Sequence, residues 1–381
     1  MAKRLKGEGS VWLRADGRWC GAINLGWEHG KRRRKYFYGQ TAEQVQAAIL
    51  RARADLAQGL PVVAERQTVE EFLGRWLEDS VKPSVRPLTY EQYRQHVKLY
   101  LAPLLGRHQL AKLAPQHVRA FIKQKLVDGL SPRTVQLSLV ILRRALGQAV
   151  KDGLVGRNVA KLADPPRWKR PEIKPWEPAE AARFLDAIRT ERLEAAYLLA
   201  LSLGLRRGEV LGLRWSDVDL EGKTVTISQA LARVGGKLEF IEPKSRQSRR
   251  TVPIHDGLVA ALRNHRRRQF EERLAAGSRW HDGGLVFTTG IGTPLEPRAL
   301  NEDFERVVMA AGLRRIRLHD LRHSCATFLL AQGVHPRVVM ELLGHSQISL
   351  TMETYSHVLP DAMREAIGRM EALLGKAAAA S

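Results

Sequence analysis

Hydrophobic and polar positions change their period along the chain, and each change marks a new element type. From Ser10 to Tyr38 they alternate with a period of two, which predicts three short strands, Ser10–Ala15, Arg18–Gly26 and Arg32–Tyr38. Asp16-Gly17 predicts a two-residue hairpin between the first two, and Glu28-His29-Gly30 turns the chain into the third. A helix follows from Thr41, opened by the capping box Thr41-x-x-Gln44 and stopped at Gly59. The run Lys31-Arg32-Arg33-Arg34-Lys35 adjoins Tyr36, Phe37 and Tyr38, and alternation is expected to send some of these bases outward to phosphates while aromatics face the helix. A basic β-ribbon of this kind suits a DNA groove, and a solvated edge strand accounts for the same pattern.

Residues 60–67 read as a linker, after which the period becomes helical. Thr68-x-x-Glu71 and Thr89-x-x-Gln92 are two more capping boxes, and Pro115 opens a third helix ending near Gly129. Ser131-Pro132 caps a fourth, running to about Lys151 with Gly153 beyond it. Leu137, Val140, Ile141, Ala145 and Leu146 form its apolar stripe. Five prolines (165, 166, 171, 175 and 178) make Ala163–Pro178 an extended segment. Beyond it the pattern is mostly helical, interrupted by strands over Thr224–Ile254 around Gly235-Gly236. The fold class expected is multidomain and mainly α with small β-sheets. Its parts are a three-stranded sheet plus helix over 1–66, an α-helical domain over 67–165, a linker over 166–178 and a mixed, mainly α domain over 179–381.

Charge changes the picture. The chain has 381 residues with 62 Lys+Arg against 40 Asp+Glu, a net charge of +22, which points to a polyanionic partner. Segments 1–66, 67–166 and 167–381 carry net +7, +8 and +7, so the two shorter ones are the more densely basic. Three separately basic segments fit a protein that wraps a long stretch of nucleic acid. The longest apolar run, Ala195–Leu205, is too short to span a bilayer, and no apolar segment follows the basic N-terminus as a secretory signal would. Cys20 and Cys325 are too few for a disulfide framework, and the expected location is a reducing cytoplasm.

For chemistry, there is no G-x-x-x-x-G-K-[ST] loop for a nucleotide and no Cys/His set with zinc spacing. His319 and His323 stand at i and i+4, but Asp320 and Arg322 occupy the stretch where a metalloprotease needs its glutamate. His319 and Arg322 at i and i+3 instead present an imidazole and a guanidinium on one face. Upstream, Gly204-Leu205-Arg206-Arg207-Gly208-Glu209 puts an arginine where two helical stretches meet, and Lys244 lies at the edge of the strand region. Downstream come Leu343-Gly344-His345 and Thr354-Tyr355-Ser356.

These stretches resemble the tyrosine recombinases of the phage integrase family over residues 68–360. The family's set of Arg, Lys, His-x-x-Arg, His or Trp, and Tyr falls in order on Arg206, Lys244, His319, Arg322, His345 and Tyr355, with Lys237 a neighbouring alternative for the lysine. The resemblance implies that Tyr355 attacks a DNA phosphodiester, giving a 3′-phosphotyrosyl link and a free 5′-hydroxyl. Arg206 and Arg322 would hold the non-bridging oxygens, and Lys244 would protonate the leaving oxygen. His319 would assist proton transfer at the tyrosine, and His345 would donate a hydrogen bond to phosphate. Exchanging one ester for another requires neither ATP nor a catalytic metal, so no cofactor is expected.

The same resemblance makes 67–165 a core-binding domain, 179–381 the catalytic domain and, by composition, 1–66 an arm-binding domain. DNA-contact candidates are the Lys31–Lys35 run together with Arg133, Arg143 and Arg144 on the fourth helix. Expected partners are double-stranded DNA at core and arm sites, three further copies of the chain in a tetramer, an excision factor and a DNA-bending protein. Met363, Ile367, Met370, Leu373 and Leu374 are spaced like one face of a helix, which either packs on its own catalytic domain or, as the resemblance implies, docks on a neighbouring protomer. Two other readings compete: a type IB topoisomerase that only relaxes supercoils, and a non-catalytic DNA-binding regulator. The complete residue set argues against the second, and the extra basic N-terminal unit argues for an integrase over the first. Glu209 is expected to be structural, orienting the helices or an arginine, and Cys325 to be a buried small residue.

Overall fold

The computed structural model describes residues 10–28, 31–57, 67–169, 174–242 and 249–344. The chain divides into two compact units, Met1–Arg170 and Pro171–Ser381.

The first unit opens with an antiparallel sheet of β1 (Ser10–Leu13), β2 (Trp19–Glu28) and β3 (Lys31–Gly39), followed by α1 (Ala42–Ala57). The first hairpin has a wider loop than the sequence predicts. Arg14 pairs with Arg18, and Ala15-Asp16-Gly17 make a three-residue turn closed by the Gly17 amide on the Arg14 carbonyl, with Gly17 at φ +76°. Only glycine takes that conformation without strain. Ile23, Val45, Ile49 and Ala52 are buried between sheet and helix, with Val11, Trp19 and Phe37 packed against them.

The expected facing of the third strand is partly reversed. Of the three aromatics only Phe37 turns to the helix, whereas Tyr36 and Tyr38 are 46% and 57% exposed. Their face also carries exposed Arg34, and Trp12, whose ring meets Tyr36 edge-on. Strand pairing explains this: Trp12, Cys20 and Tyr38 lie abreast, so the thiol of Cys20 is covered by large rings on both sides of a small residue.

The helical part of the unit contains α2 (Val69–Trp76), α3 (Pro87–His96), α4 (Ala102–Leu105), α5 (Pro115–Val127) and α6 (Pro132–Lys151). π-helical turns at Leu77–Val81 and Val97–Leu101 extend α2 and join α3 to α4. Thr68 and Glu71 form the predicted capping box. The box at Thr89 does not form, because α3 starts two residues earlier at Pro87, whose fixed φ suits the first helical position. On α6 the buried stripe runs through Val135, Leu139, Leu142, Leu146 and Ala149, joined by Ile141 and Ala145. Of the expected stripe, Ile141, Ala145 and Leu146 are buried and Leu137 packs against the core, whereas Val140 is 46% exposed.

The second unit contains α7 (Pro178–Ile188), α8 (Glu194–Ser202) and α9 (Arg207–Gly212). The strands β4 (Val218–Asp219), β5 (Thr224–Ile227) and β8 (Arg250–Pro253) form one sheet, and β6 (Ala230–Val234) and β7 (Lys237–Ile241) form a hairpin turned by Gly235-Gly236. Then come α10 (Asp256–Ala276), α11 (Pro297–Ala310), α12 (Asp320–Ala331) and α13 (Pro336–Leu343). The apolar run noted in the sequence is α8, buried through Ala195, Ala196, Tyr197, Leu199, Ala200 and Leu201, and it packs on α10 and α12. Trp176, at the end of the proline-rich segment, is fully buried beside Phe184 and Phe304. Among the described residues no helix is long and apolar enough to cross a membrane, and Cys20 and Cys325 are free and buried.

Candidate active site

The core helix α8 delivers the first arginine. After Ser202 the chain reverses at Gly204, with φ +62°, and Arg206 becomes the N-cap of α9. A Cβ on Gly204 would strike the Leu343 side chain, so glycine serves both the backbone angle and the close approach of α13. Glu209, three residues on, folds back over Arg206. Its Oε1 accepts from Arg206 Nη1 at 2.7 Å and its Oε2 from the Arg206 amide at 3.1 Å. Arg206 Nη2 also donates to the carbonyl of Gly344 at 3.2 Å. The Arg206 side chain still keeps 39% of its surface open.

Helix α12 delivers the second. Asp320 accepts from the Arg317 amide at 2.9 Å and from the Arg317 guanidinium, fixing the helix start. Arg322, only 3% exposed, donates through Nη1 to the Gly204 carbonyl at 2.7 Å. His319 lies at the N-cap with an accessible edge. Loss of solvation holds its imidazole below the ordinary value, and the charge of Arg322, then of Arg206 more weakly, adds to this. His323 stands edge-on to His319 and is lowered further, to about 4, by burial first and His319 second. Cys325 donates to the Ser202 carbonyl, and burial pushes its thiol up to about 12, so it is a packing residue as expected.

Sequence reasoning missed Arg250. It reaches Glu209 Oε2 at 3.2 Å with Nη2 and the Leu342 carbonyl at 2.7 Å with Nε, and both side chains of the pair are nearly buried, at 8% and 7% exposure. Burial alone would raise the Glu209 carboxyl, but the charges of Arg250 and then Arg206, with hydrogen bonds from Arg206, hold it below its usual range. Nothing in Ser248-Arg249-Arg250-Thr251 distinguishes this arginine from its exposed neighbour; the alternation of β8 was the only available signal.

Three of the six expected residues, Arg206, His319 and Arg322, are thus brought together. Lys244, His345 and Tyr355 lie outside the described residues, as does the helical pattern of 363–374. Lys31, Arg32 and Arg33 lie on β3, Arg34 is exposed, and Lys35 shares the inner face with its ammonium over Phe37. On α6 the arginines have separate fates. Arg143 is committed to the carbonyls of Ala160 and Ala163, at 3.0 and 2.7 Å. Arg144 is exposed over the Tyr93 ring, and Arg133 is exposed over Trp168. Among the described residues no group of three or more His, Cys, Asp or Glu could hold a metal.

Residues 176–361 match the phage integrase family, and residues 68–126 match the phage integrase N-terminal SAM-like domain. A tyrosine recombinase XerC-like protein of Caldanaerobacter subterraneus subsp. tengcongensis is 32% identical over 360 residues, covering 89% of this chain and 92% of that one. The chain belongs to the phage integrase family. It is a tyrosine-type site-specific recombinase. An integrase of Saccharopolyspora erythraea is 29% identical, covering 96% of both chains. Among solved structures, the Tn1549 transposon integrase in complex with circular intermediate DNA shares the fold, with a TM-score of 0.68 and 23% identity over 80% of this recombinase and 100% of that chain. Lambda integrase, as a dimer bound to a core site, also shares the fold, with a TM-score of 0.56 and 16% identity over 93% and 96%.

Proposed function

We propose that this recombinase is the integrase of a mobile element and opens DNA at the site where Arg206, His319 and Arg322 converge. The observation that carries the reading is the pair of guanidinia linked through one turn: Arg322 holds the Gly204 carbonyl, and Arg206 follows two residues later. Two forks at one place suit a phosphodiester, whose non-bridging oxygens gain charge in the transition state. In this reading the Tyr355 oxygen forms a bond to phosphorus while the bond from phosphorus to the 5′ oxygen breaks. The tyrosine proton passes toward His319, whose lowered pKa keeps it neutral and able to accept. Lys244 protonates the leaving 5′ oxygen, and His345 donates to the phosphate. The product is a 3′-phosphotyrosyl ester, and the reverse reaction on a partner strand builds a four-way junction.

The same reading gives each part a DNA task. Residues 1–66 read an arm site with the exposed face of Trp12, Tyr36, Tyr38 and Arg34, residues 67–165 clasp the core site, and residues 179–381 cut it. Four copies assemble on the junction, as lambda integrase does in its tetramer bound to a Holliday junction. An excision factor and a DNA-bending protein complete the set of partners, and the chain acts in the cytoplasm of a bacterial host.

The decisive experiment begins by sequencing the joints made when the gene is expressed with its flanking DNA. A nicked suicide duplex carrying that crossover site is then offered to wild type and Tyr355→Phe. Wild type should form a covalent adduct, and the variant should bind without forming one. An adduct from the variant would assign the attack to another residue. Paired target plasmids that yield topoisomers without recombinant joints would favour the topoisomerase reading.

A further inference from the structure

We infer that Arg250 is a positioning residue of the cleavage site: it balances the charge of Glu209 and holds the end of α13, leaving Arg206 a full positive charge for phosphate. This rests on the reading of Arg206 given above.

Among the described residues the buried cluster holds one carboxylate, Glu209, and two guanidinia, Arg206 and Arg250. Glu209 divides its oxygens between them, Oε1 to Arg206 at 2.7 Å and Oε2 to Arg250 at 3.2 Å. The two arginines differ in exposure, since Arg206 keeps 39% of its side chain open and Arg250 only 8%. Arg250 is therefore shut away from any ligand, and its charge acts through Glu209. With Arg250 present these three side chains together carry net +1, and the accessible member is Arg206. Without it, Glu209 and Arg206 would neutralise each other, and the fork offered to phosphate would be an ion pair already closed.

The second half of the role is geometric. Arg250 Nε holds the Leu342 carbonyl at 2.7 Å, while Arg206 Nη2 holds that of Gly344 at 3.2 Å. These are carbonyls at the C-terminal end of α13, where helical partners run out. Gly344 caps the helix at φ +65°, and a Cβ there would meet Arg250 Nη1 at 2.7 Å. The two arginines and Glu209 thus form one strap across the last turn of α13, immediately before His345.

The test is single-turnover adduct formation by the full chain on the nicked crossover duplex, with DNA affinity measured in parallel. Arg250→Met keeps much of the volume and removes the charge. It should slow cleavage by about a hundredfold, as loss of an electrostatic transition-state donor does, with affinity within about threefold of wild type. Adding Glu209→Gln to that variant should restore at least about tenfold of the rate, because the unbalanced carboxylate is then gone. A merely structural strut would give no such rescue, so a double variant no faster than R250M overturns the inference. Should R250M unfold at the assay temperature, Arg250→Lys carries the test, since it keeps the charge and shortens the reach. R250K should keep cleavage within about tenfold of wild type, and a loss beyond about a hundredfold with DNA binding intact overturns the charge role. Arg206→Ala is the control for the underlying reading. If R206A cleaves normally, that reading fails and this inference with it; if R206A is dead while R250M is normal, only the inference fails.

Discussion

Arg322 donates to the carbonyl of Gly204, a residue 118 positions earlier in the chain. The bond joins the start of α12 to the turn that presents Arg206, so one backbone group fixes Arg322 beside the segment that carries the first arginine. Its direction depends on the left-handed conformation of Gly204, which no other residue adopts without cost.

Gly204→Ala should therefore damage the site twice. The left-handed angle costs about 1–2 kcal/mol for a residue with a Cβ. The new methyl also enters the space of the buried Leu343 side chain on α13, which must shift to admit it. A lower melting temperature, together with cleavage reduced by more than the DNA affinity, is the expected outcome. Thermal unfolding and suicide-substrate cleavage measured on one preparation check it.

Arg322→Lys tests the fork rather than the charge. At 3% exposure the side chain has one N–H fixed on Gly204, and the rest of its planar array is what a lysine cannot supply. Cleavage should fall by about a hundredfold or more, as for other transition-state donors, with little loss of affinity. Near-normal adduct formation would remove Arg322 from the clamp.

Much of this was legible from local signals. Gly17, Gly204 and Gly344 mark left-handed turns, and Thr68 with Glu71 marks a helix start, because these motifs operate within a few residues. Thr89 misled because a proline two residues upstream offered a better first position. Tyr36 and Tyr38 misled because alternation fixes which residues share a face but not which face meets the helix. Arg250 was invisible for another reason. A buried arginine is intelligible only beside its carboxylate, and Glu209 lies 41 positions away. The same holds for Trp176, whose burial is decided by Phe184 and Phe304 rather than by the prolines around it.

Acid should loosen the helical part of the first unit. His96 is 8% exposed and its ring bonds Ser138 at 2.8 Å, so burial holds its pKa below the ordinary value. The unfolded chain then takes up a proton before the folded one does. Stability is complete above the unfolded value of about 6.5 and is lost as pH falls from there toward the lower folded value. His108 in the same unit and His265 on α10 of the second unit, both lowered first by burial, act in the same sense each on its own unit. His96→Gln should leave a shallower fall in melting temperature between neutral and acidic pH than wild type. Calorimetry of the full chain and the variant at both ends of that range isolates the difference, and parallel slopes would clear His96 of the effect.

The N-terminal sheet offers the last test. Its outer face carries Trp12 and Tyr36 in edge contact and Tyr38 beneath the Arg14 guanidinium, with Arg34 exposed beside them. Exposed rings interleaved with cations on a three-stranded sheet fit a DNA groove better than a solvated edge, where large aromatics gain nothing. The opposite face is already filled by Val45, Ile49 and Ala52, so substitutions on the outer one should spare folding. Tyr36→Ala and Tyr38→Ala together should weaken binding to a separate arm duplex by more than Arg34→Ala does, while core-site cleavage stays at the wild-type rate. Salt separates the contributions: losing Arg34 should flatten the dependence of affinity on ionic strength, and losing the tyrosines should not. A chain starting at residue 67 should cut the core site and fail to bind the arm duplex. Full integration by that shortened chain would show that the sheet is not the second reader.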